Sequence, residues 1–263
     1  MQISDLRDFK KSGNKITMLS VPDFYSAKLV DEVGVNCILI GDSLGRYIHG
    51  ESDVFSVTIG DIVYYTKIVR RAVQNSLIIA DLPYSAYELG AEQALESAKI
   101  LIEVGGAQAI KLEGGQDYYP CIEAIVNAEI PIMGHIGLKR EYLGKLGGLP
   151  VTGAQRNQDW DRIIDGAKAL QKLGVFALML ECVPAELGGI VARELEIPVI
   201  GQGAGHLVDG QSLIFHDMMG FHEGNKPKFM KKYARLSQVM STAVKSFVED
   251  VQGLKFPGEE HEY

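Results

Sequence analysis

Phe176-Ala177-Leu178-Met179-Leu180-Glu181 is a run of apolar residues that does not alternate and stops on an acid. A continuous apolar run of that length suits a strand buried on both faces. Desolvating an acid inside such a strand is costly. At the carboxyl end of a parallel strand, the acid stands where these folds keep their active sites. The cadence recurs along the chain. Cys37-Ile38-Leu39-Ile40 runs into Gly41-Asp42-Ser43, Leu77-Ile78-Ile79-Ala80 into Asp81, Ala109-Ile110 into Lys111-Leu112-Glu113, and Ile130-Pro131-Ile132-Met133 into Gly134-His135. Five strand ends bearing Asp, Asp, Lys/Glu, His and Glu point to one shared pocket.

Working outward, strands are predicted near 16–21, 37–41, 77–82, 108–113, 130–135, 175–181, 197–201 and 212–217. Helical stripes lie between them. Trp160, Ile163, Ile164, Ala167 and Leu170 share one face of a segment at 159–173, and Ala94, Leu95, Ala98, Leu101 and Ile102 one face at 91–104. Gly34, Gly105 and Gly174 each stand just before a strand, where a helix would stop. Strand and helix alternating about eight times predict a (β/α)8 barrel, with an open doubly wound sheet as the alternative. A short amphipathic helix is predicted at 2–11 and one long helix at 228–253, the latter able to pack on another subunit. No linker or low-complexity tract divides the chain, so a single catalytic domain over 1–263 is expected. The Gly-rich stretch 137–158 reads as a lid, a binding loop or a plain surface loop.

The 263 residues are 46% hydrophobic and 23% charged, with net charge −8. That composition supports a full core and excludes the basic stripe of a nucleic-acid binder. No apolar run reaches the roughly 18 residues of a membrane span. Met1-Gln2-Ile3-Ser4-Asp5-Leu6 lacks the layout of a signal peptide, and Cys37, Cys121 and Cys182 form no Cys-x-x-Cys pair. A reduced, cytoplasmic setting is expected, without a zinc or disulfide framework.

Asp42, Asp81 and Glu113 would repel one another if they converged, unless a cation sat among them. Oxygen ligands of that kind suit Mg2+. Each acid alone could instead cap the following helix or pair with a base. Ser43 could donate to a substrate carboxylate or cap the next turn. Lys111, two residues before Glu113, shares its barrel face and could bind a carboxylate, hold an enolate oxygen or form a Schiff base. His135 could bond substrate or be a satisfied structural residue. Glu181 is the natural general base if burial raises its pKa. Cys182 reads as a small buried residue or, less readily, a nucleophile. Gly201-Gln202-Gly203-Ala204-Gly205 reads as a tight turn giving a ligand close backbone access. Gly41-Asp42-Ser43-Leu44 also matches an esterase nucleophile motif, but the Asp-x-x-His those enzymes need is missing from the sequence.

Taken in order, these motifs resemble the ketopantoate hydroxymethyltransferase family. The resemblance spans nearly the whole chain. It rests on Gly41-Asp42-Ser43-Leu44-Gly45, Ala80-Asp81-Leu82-Pro83, Ile110-Lys111-Leu112-Glu113-Gly114-Gly115, Gly134-His135-Ile136-Gly137-Leu138, Leu180-Glu181-Cys182-Val183-Pro184, Gly203-Ala204-Gly205, Asp209-Gly210-Gln211 and Phe256-Pro257-Gly258-Glu259-Glu260-His261. It implies a (β/α)8 barrel of the phosphoenolpyruvate/pyruvate superfamily. It implies Mg2+ held by Asp42 and Asp81, with Glu113 among or just behind the ligands. Ser43 and Lys111 would bind the 2-oxo acid, with His135 alongside, and Glu181 would act as base. The implied reaction moves a hydroxymethyl group from 5,10-methylenetetrahydrofolate to 2-oxoisovalerate through a Mg2+-stabilised enolate, the first committed step toward pantothenate. A decamer of two pentamer rings is implied as well.

The chain departs from the family pattern in places. Ser20-Val21-Pro22 stands where a Thr-Ala-Tyr-like stretch is usual, and Asp53-Val54-Phe55-Ser56-Val57-Thr58 where Leu-Pro-Val-Thr is usual. Gln202 replaces an apolar residue, and Leu149-Pro150-Val151-Thr152-Gly153 differs from the usual aromatic/basic-Val-Gln-Gly. Two other readings stand beside the transferase. One is a related superfamily lyase, mutase or paralogue acting on another small 2-oxo acid, a branch with which Pro22-Asp23-Phe24-Tyr25-Ser26-Ala27 is compatible. The other is a catalytically silent assembly protein.

Overall fold

The computed structural model describes residues 1–51, 55–138, 152–153, 158–221 and 227–263. Their contacts group into two units, 1–214 and 215–263. The first is a closed barrel of eight parallel strands: β1 (Ile16–Ser20), β2 (Cys37–Ile40), β3 (Leu77–Asp81), β4 (Ala109–Glu113), β5 (Ile132–Ile136), β6 (Ala177–Glu181), β7 (Val199–Gln202) and β8 (Gly210–Ile214). Because β1 pairs with both β2 and β8, the sheet has no edge, which excludes the open doubly wound alternative. Helices α2 (Phe24–Val33), α3 (Ser43–Tyr47), α4 (Ile59–Ala72), α5 (Ala91–Ile100), α6 (Tyr119–Asn127), α7 (Gln158–Leu173) and α8 (Ala185–Glu194) lie between strands, and α1 (Ile3–Ser12) precedes them.

The strands carry apolar residues toward both the barrel axis and the helices, which is why their sequences do not alternate. Met18, Cys37, Leu39, Leu77, Ile79, Ala109, Met133, Ala177, Met179 and Ile200 form one inner cluster. Leu6 of α1 joins it, with Met1, Ile3 and Phe9 packed against it. Lys10 ties α1 down through Nζ, which donates to the Ala192 and Ile197 carbonyls and to Asp209 Oδ2. This apolar filling makes the barrel a packed core rather than a channel. Most polar inward positions stand toward the carboxyl ends of the strands; Ser212, level with Met18 in the middle of β8, is an exception.

Two expectations need correction. The last strand is displaced: it is Gly210–Ile214, and Phe215–Met219 is a short helix, α9. A Cβ on Gly210 would lie 2.5 Å from the Ile16 carbonyl oxygen, so glycine is what lets β8 approach β1. No helix separates β7 from β8. Residues 203–209 fold onto α8 instead, where a Cβ on Gly188 would meet the Ala204 carbonyl oxygen at 2.2 Å.

In the second unit, the helix expected over 228–253 is α10 (Leu236–Gln252) only. The amides of Tyr233 and Ala234 bond to the Met218 carbonyl rather than to helical partners four residues back, which holds that stretch out of the helix. Val239, Val244 and Phe247 of α10 are more than half exposed. No described helix is long and apolar enough to cross a membrane. Of the Gly-rich stretch 137–158, read as a lid, a binding loop or a surface loop, residues 139–151 and 154–157 lie outside the described residues. Thr152 donates its amide to the Cys182 carbonyl, and Gly153 accepts from Trp160 Nε1 at 2.7 Å.

Candidate active site

Strand register brings the chemistry together. Asp81 faces Lys111 across β3 and β4, Glu113 faces His135 across β4 and β5, and Glu181 faces Gln202 across β6 and β7. Counting back by twos from these residues reaches members of the inner cluster, so their side chains belong to the barrel mouth. Asp81, Lys111 and His135 are buried, at 1%, 3% and 4% exposure.

Lys111 Nζ stands 2.8 Å from Asp81 Oδ2. Burial by itself would lower the Lys111 pKa, but the negative charges of Asp81, Asp42 and Glu113 more than offset it and raise it. Lys111 is therefore an ammonium ion. A Schiff base needs a neutral amine, so the carboxylate- or oxyanion-binding role is the one the site supports. An ammonium can only donate, so His135 Nδ1, 3.4 Å away, accepts from it. That assigns the ring proton to Nε2, which donates to Glu181 Oε2 at 3.1 Å. Glu113 Oε2 lies 3.6 Å from His135 Nδ1. Gln202 Nε2 donates to Glu181 Oε1 at 2.9 Å. One polar chain thus runs from Asp81 through Lys111, His135 and Glu181 to Gln202.

The capping alternative fails for Asp42. It occupies the N-cap position of α3, but its side chain makes no capping hydrogen bond. Ser43 is the first residue of that helix, and its Oγ lies 2.9 Å from Ser20 Oγ, so the two hydroxyls orient one another. Asp81 Oδ2 sits beside β2: a Cβ on Gly41, the residue before Asp42, would lie 3.4 Å from it. Cys182 is buried, and its thiol is pushed up to about 12 by burial and by the neighbouring Glu181 charge. A thiol at that value is no nucleophile.

A divalent cation fits this donor set. Asp81 is buried, yet neither of its oxygens receives a hydrogen bond of ordinary geometry. Four carboxylates, Asp42, Asp81, Glu113 and Glu181, stand at these strand ends against the Lys111 ammonium. Among the described residues no three His, Cys, Asp or Glu side chains form a ready-made metal cluster. Mg2+ does not require one, since it takes one or two carboxylates and completes its shell with water and substrate.

Sequence reading missed Gln202 and Ser20. Gln202 lies within Gly201-Gln202-Gly203-Ala204-Gly205, which reads as a tight turn. Gly203 and Gly205 do hold positive φ angles, but Gln202 ends β7 at an inward position. Its register with Glu181 exists only once β6 and β7 pair. Ser20 lies at an inward end position of β1 in the same way.

The sequence profile of the ketopantoate hydroxymethyltransferase family matches residues 1–259. A Thermoanaerobacter sp. (strain X514) protein named 3-methyl-2-oxobutanoate hydroxymethyltransferase is 43% identical over 258 residues, 98% of this chain and 94% of that one. A protein of the same name from Enterococcus faecalis (strain ATCC 700802 / V583) is 43% identical over 255 residues, covering 97% and 92%. Among solved structures, 2,3-dimethylmalate lyase, of the PEP mutase/isocitrate lyase superfamily, superposes with TM-score 0.61 at 14% identity, covering 99% of this chain and 91% of that one. Phosphonopyruvate hydrolase in complex with oxalate and Mg2+ gives TM-score 0.62 at 12% identity, covering 98% and 92%. At such identities the structural likeness concerns the fold.

Proposed function

This chain belongs to the ketopantoate hydroxymethyltransferase family, and from that premise we propose that it transfers a hydroxymethyl group from 5,10-methylenetetrahydrofolate to 2-oxoisovalerate (3-methyl-2-oxobutanoate), giving 2-dehydropantoate for pantothenate biosynthesis. The observation that carries this reading is the His135 bridge. It sets an ammonium, Lys111, and a carboxylate, Glu181, on either side of one imidazole at the barrel mouth.

In this reading Asp42 and Asp81, with Glu113 close by, hold Mg2+, which when bound polarises the 2-oxo group as a Lewis acid. Lys111 supplies fixed positive charge where negative charge develops on the substrate oxygen. Ser43, oriented by Ser20, donates to the substrate carboxylate. Glu181 removes the proton from carbon 3. The C–H electron pair becomes the double bond between carbons 2 and 3 while the C2=O pair moves onto the oxygen that Lys111 faces. That pair then returns as carbon 3 bonds to the donor's methylene and one methylene–nitrogen bond of the folate breaks, that nitrogen taking the proton from Glu181. Water replaces the second methylene–nitrogen bond, which leaves the hydroxymethyl group on the product and releases tetrahydrofolate. His135 steadies Glu181 through Nε2–H. The exposed apolar face of α10 supports a homo-oligomer, the decamer of the family resemblance, which light scattering would size.

The test is proton exchange. Protein, Mg2+ and 2-oxoisovalerate in D2O should exchange the proton at carbon 3, and adding 5,10-methylenetetrahydrofolate should yield 2-dehydropantoate. Glu181→Gln should bind substrate and fail to exchange. Exchange without transfer would replace the folate donor with another electrophile. No exchange and no 2-oxo acid binding would overturn the reading in favour of a silent scaffold.

A further inference from the structure

Glu181 is held from two sides, and one side has no part in the reaction as described so far. Gln202 Nε2 lies 2.9 Å from Glu181 Oε1, while His135 Nε2 reaches the other oxygen. The two residues are register partners on β6 and β7, and the Cys182 amide donates to the Gln202 carbonyl at 2.9 Å, so the backbones are tied at the same level. Glu181 is followed by Cys182 at φ 51 and Gln202 by Gly203 at φ 73, so both strands break immediately beyond the pair. Among the described residues this is the only hydrogen bond of the Gln202 side chain.

We propose that Gln202 is a positioning residue for proton abstraction: its side-chain amide fixes the rotation of the Glu181 carboxylate and serves that group in both protonation states. This deepens the function proposed above and rests on Glu181 being the base. A carboxylate can spin about its last bond, and that torsion is soft. With one donor on each oxygen, the plane is set, and each oxygen keeps a lone pair for the substrate proton. When the substrate C–H bond breaks, its electron pair stays on the substrate and its proton moves to Glu181. The group is then a neutral acid that carries a hydrogen to donate. A glutamine amide can meet this change by turning over, because it presents NH2 on one side and C=O on the other. An aliphatic side chain, the usual residue of the family pattern at this position, makes neither contact, so this second anchor is particular to this chain; a second carboxylate would repel the first.

The experiment compares wild type with Gln202→Met, Gln202→Leu and Gln202→Glu in exchange at carbon 3 of 2-oxoisovalerate with Mg2+ in D2O, read by proton NMR, with Glu181→Gln as reference. Positioning predicts that Met and Leu lower kcat for exchange by about tenfold to a hundredfold, the value of a hydrogen bond to a charged group. KM should stay within about twofold, because Gln202 touches the base and not the substrate. Gln202→Glu should lose more than either. A merely structural role would lower the unfolding midpoint and leave kcat per folded molecule unchanged. If wild type exchanges, Glu181→Gln is silent, and both Met and Leu exchange at the wild-type kcat, the positioning role is wrong while the base assignment stands. If Glu181→Gln exchanges like wild type, the base is wrong and this inference falls with it.

Discussion

Gly137→Ala tests the architecture and the chemistry together. Gly137 follows β5, two residues beyond His135, at φ 119, a region closed to residues with a Cβ. A Cβ there would lie 2.1 Å from the Glu181 carbonyl oxygen and 2.9 Å from its amide nitrogen. An ordinary carbon–oxygen contact begins near ~3.3 Å. The backbone at the base must therefore retreat by roughly 1 Å, or Gly137 must abandon its conformation. Strained φ in a residue with a Cβ costs about 1–3 kcal/mol, and forcing an atom into a packed site about 1–3 kcal/mol more. The expected loss of about 2–6 kcal/mol corresponds to a midpoint lower by roughly 4–24 °C for a chain of this size. A displacement of about 1 Å at the base should also slow exchange at carbon 3 by about a hundredfold in the folded fraction. Differential scanning calorimetry gives the first number and NMR exchange below the midpoint the second. Gly60→Ala is the control. Gly60 lies in the first turn of α4 at a φ open to other residues, and its added Cβ would meet only Thr58 Oγ1, at 3.6 Å. There alanine should stabilise by about 0.5 kcal/mol. Wild-type exchange and an unchanged midpoint for Gly137→Ala would refute the placement of β5 against Glu181.

Three further outcomes follow from single sites. Asp31 is buried; burial would raise its pKa, but amides of Gln74, Ser76 and Asn75 bond to the carboxylate and hold it below the usual range. Its contribution is complete above the unfolded value of about 3.9 and is lost as pH falls through the folded one. Asp31→Asn should thus cost about 2–3 kcal/mol in urea unfolding at pH 7, with the gap to wild type closing below about pH 4. Cys37 and Cys182 are both pushed up to about 12, so neither should be alkylated by iodoacetamide at pH 8 in the native protein, as mass spectrometry would read; rapid labelling would contradict their burial. Asp81→Ala should remove Mg2+-dependent binding of 2-oxoisovalerate in calorimetry, whereas retained metal-dependent binding would displace Asp81 from the cation site.

The elements that could be read from the chain are those whose cause is local. Unalternating apolar runs announced strands covered on both sides, and a charged residue stopping each run marked the wet end, because only there is desolvation avoided. Asp42, Asp81, Lys111, Glu113, His135 and Glu181 were all legible for that reason. Their order along the chain also carried the family, and with it the reaction expected of the site. What depended on closure was not legible. His135 and Glu181 are 46 positions apart, and their bond exists only because β5 and β6 are neighbours in register. Gln202 looked like part of a glycine turn until β7 aligned it with Glu181. The need for glycine at 210 arises only where β8 approaches β1 and leaves no room for a Cβ. The charge state of Lys111 belongs to this second group, since Asp81 of β3 and Asp42 beyond β2 join Glu113 of its own strand in outweighing its burial. Hydrophobic pattern is a property of consecutive residues and survives in one dimension. Hydrogen-bond partners and fields are set by distances through space, which the sequence does not contain until the barrel closes.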